Sequence, residues 1–269
     1  MSGTLPNQKQ KIQNLVRQKT IESFECCAGH HQSFFTDPND GTILKKNEIA
    51  DGNISEGHIM KKMQSQTISC LIPKLIELVE IEKVEFIKME NLTRRFKAPA
   101  IMDVKLGSRT YLFYEANNRQ RNDLYKSVTP VKAYRIEGFR RSCGEKFDKF
   151  CLNRIADKKT AMKYFELFLR CSTIPLAEIC TKIVKKLTYI KTRAQSSPFF
   201  SSHLFIGTSL LFILDENGSF DVKLIDFAKV REFNPTKEDP LPNSEWFRGL
   251  DNLIRDFSEI STLNVPTNS

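Results

Sequence analysis

The stretch Pro99-Ala100-Ile101-Met102-Asp103-Val104-Lys105-Leu106-Gly107 decides how this chain is read. It places a carboxylate, an ammonium and a glycine on one short extended run. Alternation along a strand sends Asp103 and Lys105 to the same face. An acid and a base so spaced are common on exposed strands, where they form surface ion pairs worth little. A second acid downstream changes the weight of the pattern. Residues 209–226 read as a strongly apolar hairpin turning at Asn217-Gly218, the preferred two-residue turn, and closing on Ile225-Asp226-Phe227. An acid at the end of such a strand can present its carboxylate to a metal ion. The two stretches together point to phosphoryl transfer.

Composition bounds the reading. The chain has 269 residues, 40% of them hydrophobic and 27% charged, which suits a globular protein able to bury a core. Its formal net charge of +9 asks for an anionic partner: a polyphosphate, a nucleic acid or a membrane face. Seven cysteines with no CxxC pair, and no apolar secretory leader, favour a reducing compartment; the expectation is cytoplasmic, with the nucleus as the alternative. No apolar run approaches the ~20 residues of a membrane span. Cys26, Cys27, His30 and His31 cluster, but a second pair at zinc-ligand spacing is not evident nearby.

Along the chain, residues 1–26 read as a flexible basic segment, with Ile12, Leu15, Val16 and Ile21 at near-helical spacing that would let it dock as an amphipathic helix. Residues 27–92 carry strands at 42–45, 75–79 and 84–89 and a helix at 55–66 that Ser55 can cap. Residues 93–269 carry a strand at 134–139, helices at 158–171 and 176–193, the hairpin, a proline-marked loop and a last helix at 244–261.

With these marks in place the chain resembles the inositol polyphosphate kinase family, whose hallmark is PxxxDxKxG. The spacing is met at Pro99, Asp103, Lys105 and Gly107, followed by Arg109 and Thr110. Thr208-Ser209-Leu210-Leu211 resembles that family's SSLL element, Ile225-Asp226-Phe227-Ala228 its IDF element, and Gly249-Leu250-Asp251-Asn252-Leu253-Ile254 its closing helix. The resemblance implies an α+β fold of two kinase-like lobes: a small antiparallel-sheet lobe over 27–92 and a larger α+β lobe over 93–269, with an inositol-phosphate-binding segment at 108–135. It implies a monomeric, ATP- and Mg2+-dependent phosphotransferase acting on an inositol polyphosphate, with no nucleic-acid partner and no membrane span.

The resemblance also implies roles. Lys45 would hold nucleotide phosphates, with Lys46 the fallback because alternation lets only one face a cleft. Glu90 and Leu92 would flank the adenine-reading hinge, Asp103 would meet the ribose, and Lys105 would face the transferred phosphate. Asp226 would bind magnesium, with Ser209 supporting the metal or its water. Arg119, Arg121, Lys126 and Lys132 would converge on acceptor phosphates, which charge-assisted hydrogen bonds hold best. No general base is evident, and His203 reads as structural. A Walker-type GxxxxGK[ST] is missing, as are the His-Arg-Asp loop and glycine-rich loop of protein kinases.

The acceptor is less sharply marked. The short stretch between Gly107 and Arg135, and Ala228, resemble hexakisphosphate kinases and multikinases; Lys229 and Arg135-Ile136-Glu137-Gly138 resemble trisphosphate 3-kinases. An open lysine-rich site favours inositol hexakisphosphate, giving a diphosphoinositol product, with trisphosphate 3-kinase or multikinase activity as the alternative. Two other classes compete. A nucleic-acid module would use the charge, but its aromatic and basic residues are not interleaved in a recognition motif. A non-catalytic scaffold would have no need to keep Lys45, Asp103, Lys105 and Asp226 together.

Overall fold

The computed structural model describes residues 8–24, 33–47, 49–50, 54–110, 132–152, 155, 157–234 and 243–263. In the first lobe, helix α1 (Gln8–Arg17) precedes β1 (Glu22–Ser23), β2 (Phe34–Thr36), β3 (Ile43–Lys46), β4 (Ile49–Ala50) and β5 (Ile54–Ser55). Helix α2 (Glu56–Gln64), a 3-10 turn (Ser69–Leu71), β6 (Leu75–Ile81) and β7 (Val84–Met89) complete it. Five strands form an antiparallel sheet in the order β1-β2-β3-β7-β6.

Of the 1–26 segment, residues 8–24 are described, and they carry α1 and β1. Leu15 and Ile21 are buried, and they pack with Phe35, Leu44, Val84 and Phe86 on the outer face of this sheet. The helical spacing of the apolar residues accounts for this packing, because docking removes that stripe from water. Ser55 occupies the N-cap of α2 without a side-chain capping bond. Its hydroxyl instead accepts from Asn47 Nδ2 at 2.9 Å and meets His58 Nδ1 at 2.7 Å.

The second lobe begins with β8 (Ala100–Leu106), β9 (Tyr134–Arg140), β10 (Lys146–Phe147) and α3 (Lys149–Leu152). It continues through α4 (Lys158–Leu169), α5 (Leu176–Gln195), α6 (Pro198–Ser202), β11 (His203–Phe205), β12 (Ser209–Leu214), β13 (Phe220–Ile225), β14 (Val230–Glu232) and α7 (Ser244–Leu263). The main sheet is antiparallel, in the order β10-β9-β8-β12-β13. Alternation on β8 is carried through: Met102, Val104 and Leu106 join the core with Phe165, Leu187, Leu253 and Phe257 of the covering helices. Asp103 and Lys105 leave the opposite face.

The hairpin forms where expected, but its turn is different. Asp215 N–H donates to Ser219 O at 3.0 Å and Gly218 N–H to Asp215 O at 3.1 Å, so three residues rather than two close it. Gly218 alone in this loop has a positive φ (+77°), as the last residue of a type I turn with a G1 bulge requires. Asp215 Oδ1 accepts from the N–H groups of Asn217 and Ser219, and that capture sets the longer loop.

Candidate active site

The first lobe's sheet and the second lobe's sheet face each other across a cleft, which the 90–92 connection closes at one side. Pairing of β3 with β2 and β7 sends Ile43 and Lys45 into it and Leu44 to the outer face, so Lys45 is the cleft-lining lysine of this strand. The Lys45 Nζ donates to Glu56 Oε1 at 2.8 Å and to Asp226 Oδ1 at 3.0 Å, and lies 5.2 Å from the Phe34 ring centroid. Burial alone would lower the Lys45 pKa; Glu56 and Asp226 outweigh it and raise it, so the ammonium is permanent.

Asp226 follows the last residue of β13 and has φ +66°, a left-handed conformation rare outside glycine. The next N–H, of Phe227, donates to Glu56 Oε1 at 3.0 Å, so one carboxylate of the first lobe holds both Lys45 and the backbone beside Asp226. The second oxygen of Asp226 accepts from Lys105 Nζ at 3.3 Å. Burial would raise the Asp226 pKa, but Lys45 and Lys105 overcome it and hold the carboxyl well below its usual range.

Lys105 also donates to Ser209 Oγ at 3.2 Å and to Gly207 O at 3.3 Å. The register explains this: Ser209 pairs with Lys105 on one side and with Ile225, just before Asp226, on the other. Ser209 was expected beside the metal. The structure instead buries its hydroxyl completely, between Lys105 and Asp103.

Asp103 is 5% exposed, and its Oδ1 has no hydrogen-bond partner. Burial pushes its pKa up to about 7; Lys105 opposes this, while Asp226 and Glu137 add to it. A buried carboxylate oxygen without a donor is costly in a resting protein. Asp103 lines the cleft, but this oxygen is closed off from it, so a ligand hydroxyl reaches it only when the side chain turns.

Glu90, Asn91 and Leu92 border the same cleft, together with Met60, Met89, Ile101 and Leu211. The Glu90 side chain accepts from Lys74 N–H at 2.8 Å and the Glu90 N–H donates to Lys74 O at 3.0 Å, so its part in any recognition falls to its carbonyl. Lys132 differs from expectation: its ammonium donates to Asp256 Oδ1 at 3.2 Å, on a fully buried carboxylate that also accepts from Tyr134 OH at 2.6 Å. It ties β9 to α7 rather than standing open to an acceptor. Arg119, Arg121 and Lys126 lie outside the described residues, as do Cys26, Cys27, His30 and His31. His203, read as structural, is buried and stacked on Phe199 at 3.8 Å between ring centroids.

Sequence reasoning missed Glu56. Its signal was a strand lysine followed by a helix with an acid in its first turn, the Lys–Glu arrangement that protein kinases also use. Among the described residues no three His, Cys, Asp or Glu side chains gather as a metal cage. A single carboxylate such as Asp226, 31% exposed at its side chain although each oxygen accepts from a lysine, nonetheless suits Mg2+, which is usually held by one or two carboxylates plus substrate phosphates. Among the described residues no helix is long and apolar enough to cross a membrane.

Two facing lobes, a hinge and an ion-paired lysine opposite a strand-end aspartate define a kinase-type fold. The inositol polyphosphate kinase family model matches residues 86–258, and the chain belongs to that family. Similar curated proteins include inositol-trisphosphate 3-kinase A of Rattus norvegicus, 25% identical over 91% of this chain and 62% of its own length. Inositol hexakisphosphate kinase 2 of Homo sapiens is 26% identical over 61% of this chain and 42% of its own. The chain thus spans less than two thirds of the length of these relatives. Among solved structures, the inositol phosphate multikinase of S. cerevisiae, in complex with ADP and Mn2+, superposes with a TM-score of 0.62 at 17% identity, covering 74% of this chain and 93% of that one. The likeness confirms the two-lobed α+β fold.

Proposed function

We propose that this protein transfers the γ-phosphoryl group of ATP to an inositol polyphosphate, with Mg2+ as the metal. The observation that carries the reading is the Asp226 carboxylate gripped between Lys45 of the first lobe and Lys105 of the second, at the mouth of a cleft that a hinge closes. In this reading the 90–92 backbone and the apolar walls hold the base, and the Asp103 carboxyl, at the cleft wall, turns to accept from a ribose hydroxyl. Lys45 meets the donor phosphates. Magnesium bound at Asp226 would neutralise charge on those phosphates. Lys105, fixed by Ser209 and Gly207, stands where charge develops as the phosphoryl group passes to the acceptor. Arg119, Arg121 and Lys126 remain the proposed acceptor contacts.

For the acceptor we now favour inositol trisphosphate over the hexakisphosphate that the sequence suggested. The trisphosphate 3-kinase relative is matched over 91% of this chain, the hexakisphosphate kinase over 61%, and Lys229 and the 135–138 element support the same choice. Purified protein incubated with labelled ATP, Mg2+ and a panel of inositol phosphates tests both levels. Efficient use of the trisphosphate is expected. Turnover of the hexakisphosphate alone would restore the other acceptor, and Mg2+-dependent ATP binding without transfer to any inositol phosphate would overturn the kinase reading.

A further inference from the structure

Two charges beside the site, the buried Arg135 and the partly buried Glu137, take no part in the roles above. Arg135 is 4% exposed and lies on β9 directly opposite Lys105 of β8, so both side chains leave the sheet on its cleft-facing side. Across three strands the row reads Arg135, Lys105, Ser209. Like charges directly opposite on neighbouring strands are unfavourable unless a counter-charge stands beside them. Something must compensate for that.

The compensation is Glu137, which alternation from Arg135 places on the same cleft-facing side. Asp103 pairs with Gly138 and Val104 with Ile136, so Glu137 is the extra residue of a bulge with no residue opposite it. Its Oε1 accepts from Arg135 Nε at 2.9 Å and also from Arg135 Nη2. The same carboxylate acts on both neighbours of the β8 strand, raising the pKa of Lys105 and of Asp103.

We propose that Arg135 and Glu137 form a positioning pair for Lys105: Glu137 cancels the neighbouring guanidinium, and Arg135 in turn keeps that carboxylate from drawing Lys105 away from Asp226. The inference rests on the phosphotransferase reading. The pair itself has no net charge, so what it supplies is direction. With it intact, the Lys105 ammonium has, among the described residues, one directly contacting ionic partner, Asp226. With Glu137 neutralised, an uncompensated cation pushes from behind. With Arg135 neutralised, a second carboxylate competes for the same ammonium.

The test is a double-mutant cycle of Glu137→Gln, Arg135→Met and their combination, read as kcat for phosphoryl transfer, ATP hydrolysis without acceptor, KM for ATP and melting temperature. Each single variant is expected to lower both turnover rates by on the order of tenfold with KM for ATP changed less than about twofold. The double variant recovers most of that loss, and Glu137→Asp, which keeps the charge, stays nearer wild type than Glu137→Gln. Should the singles raise KM for the acceptor at unchanged kcat, Arg135 touches substrate and the inference fails. It also fails if lost turnover tracks lost folded protein and the double variant is no better than the worse single. ATP hydrolysis keeps the test independent of the acceptor: wild-type protein that hydrolyses ATP yet uses no inositol phosphate would remove the proposed substrate class while leaving the pair measurable.

Discussion

Asp226 carries two jobs at the scale of single residues, and its variants should show both. It is the proposed metal ligand, and it is the counter-charge for two partly buried ammonium groups. Replacement by Asn keeps the size but, among the described residues, leaves Lys45 with Glu56 alone and Lys105 with no ionised partner in direct contact. Breaking a fully buried pair costs ~3–5 kcal/mol, and a side chain about a third exposed should cost roughly 1–3 kcal/mol. Asp226→Asn should therefore abolish turnover and also melt a few degrees lower, as seen by calorimetry beside activity; unchanged activity would remove the metal assignment. Asp103 predicts the opposite sign for stability. Its folded pKa, about 7, lies above its unfolded value, so the folded state binds the extra proton and stability falls as pH rises between about 4 and 7. Asp103→Asn is released from that loss. Its melting temperature relative to wild type should climb across this window and level off above it, while nucleotide affinity drops; a difference that is flat with pH would contradict the burial argument. Of these residues, Asp103, Lys105 and Asp226 were legible in the sequence because charge interrupts apolar strands there. Glu56 was not, since an acid in the first turn of a helix is ordinary until its partner 11 residues upstream is seen to share the cleft.

Whole elements were legible wherever one periodicity ran long enough. The strands at 100–106 and 209–225 and the helices at 158–169, 176–195 and 244–263 follow their apolar spacing closely. Elements decided by a single local competition were read less well. The hairpin turn went to the Asp215 side chain rather than to Asn217-Gly218, and Ser55 gave its hydroxyl to Asn47 and His58 instead of capping α2. Helix α7 illustrates a constraint invisible in the sequence. A Cβ on Gly249 would lie 2.0 Å from Ala133 O, a backbone atom that cannot swing aside. On the same helix Asn252 Nδ2 donates to Lys132 O at 2.9 Å and Trp246 Nε1 to Thr208 Oγ1 at 3.1 Å, so α7 seats the ends of both β9 and β12. Gly249→Ala, helix-favouring by propensity alone, should destabilise the protein by roughly 1–3 kcal/mol or more. Chemical denaturation would measure it, and a stabilised variant would mean that α7 can shift away from the sheet.

At the scale of the molecule, the two lobes are less separate than a hinge suggests. One continuous buried cluster runs from Met60, Met63, Ile68, Leu71 and Met89 of the first lobe into Val104, Phe212, Val222 and Leu224 of the second. Polar ties cross beside it: Arg193 donates to Thr67 O, and Lys223 Nζ to Cys70 O at 2.9 Å. This matters for function, because Glu56 and Lys45 of the first lobe reach Asp226 of the second only while the lobes keep their relation. A shared core predicts that the lobes unfold together. The chain's single tryptophan, Trp246, is buried in α7 of the second lobe and reports on that lobe alone. Met63, fully buried in α2, can be truncated in the other. Met63→Ala should cost about 2–5 kcal/mol. The decisive comparison is between probes: Trp246 fluorescence and far-UV circular dichroism should shift to the same lower midpoint in urea. If the tryptophan transition stays at its wild-type position while the dichroism separates into two steps, the lobes fold independently. The cleft would then be held by its ion pairs alone.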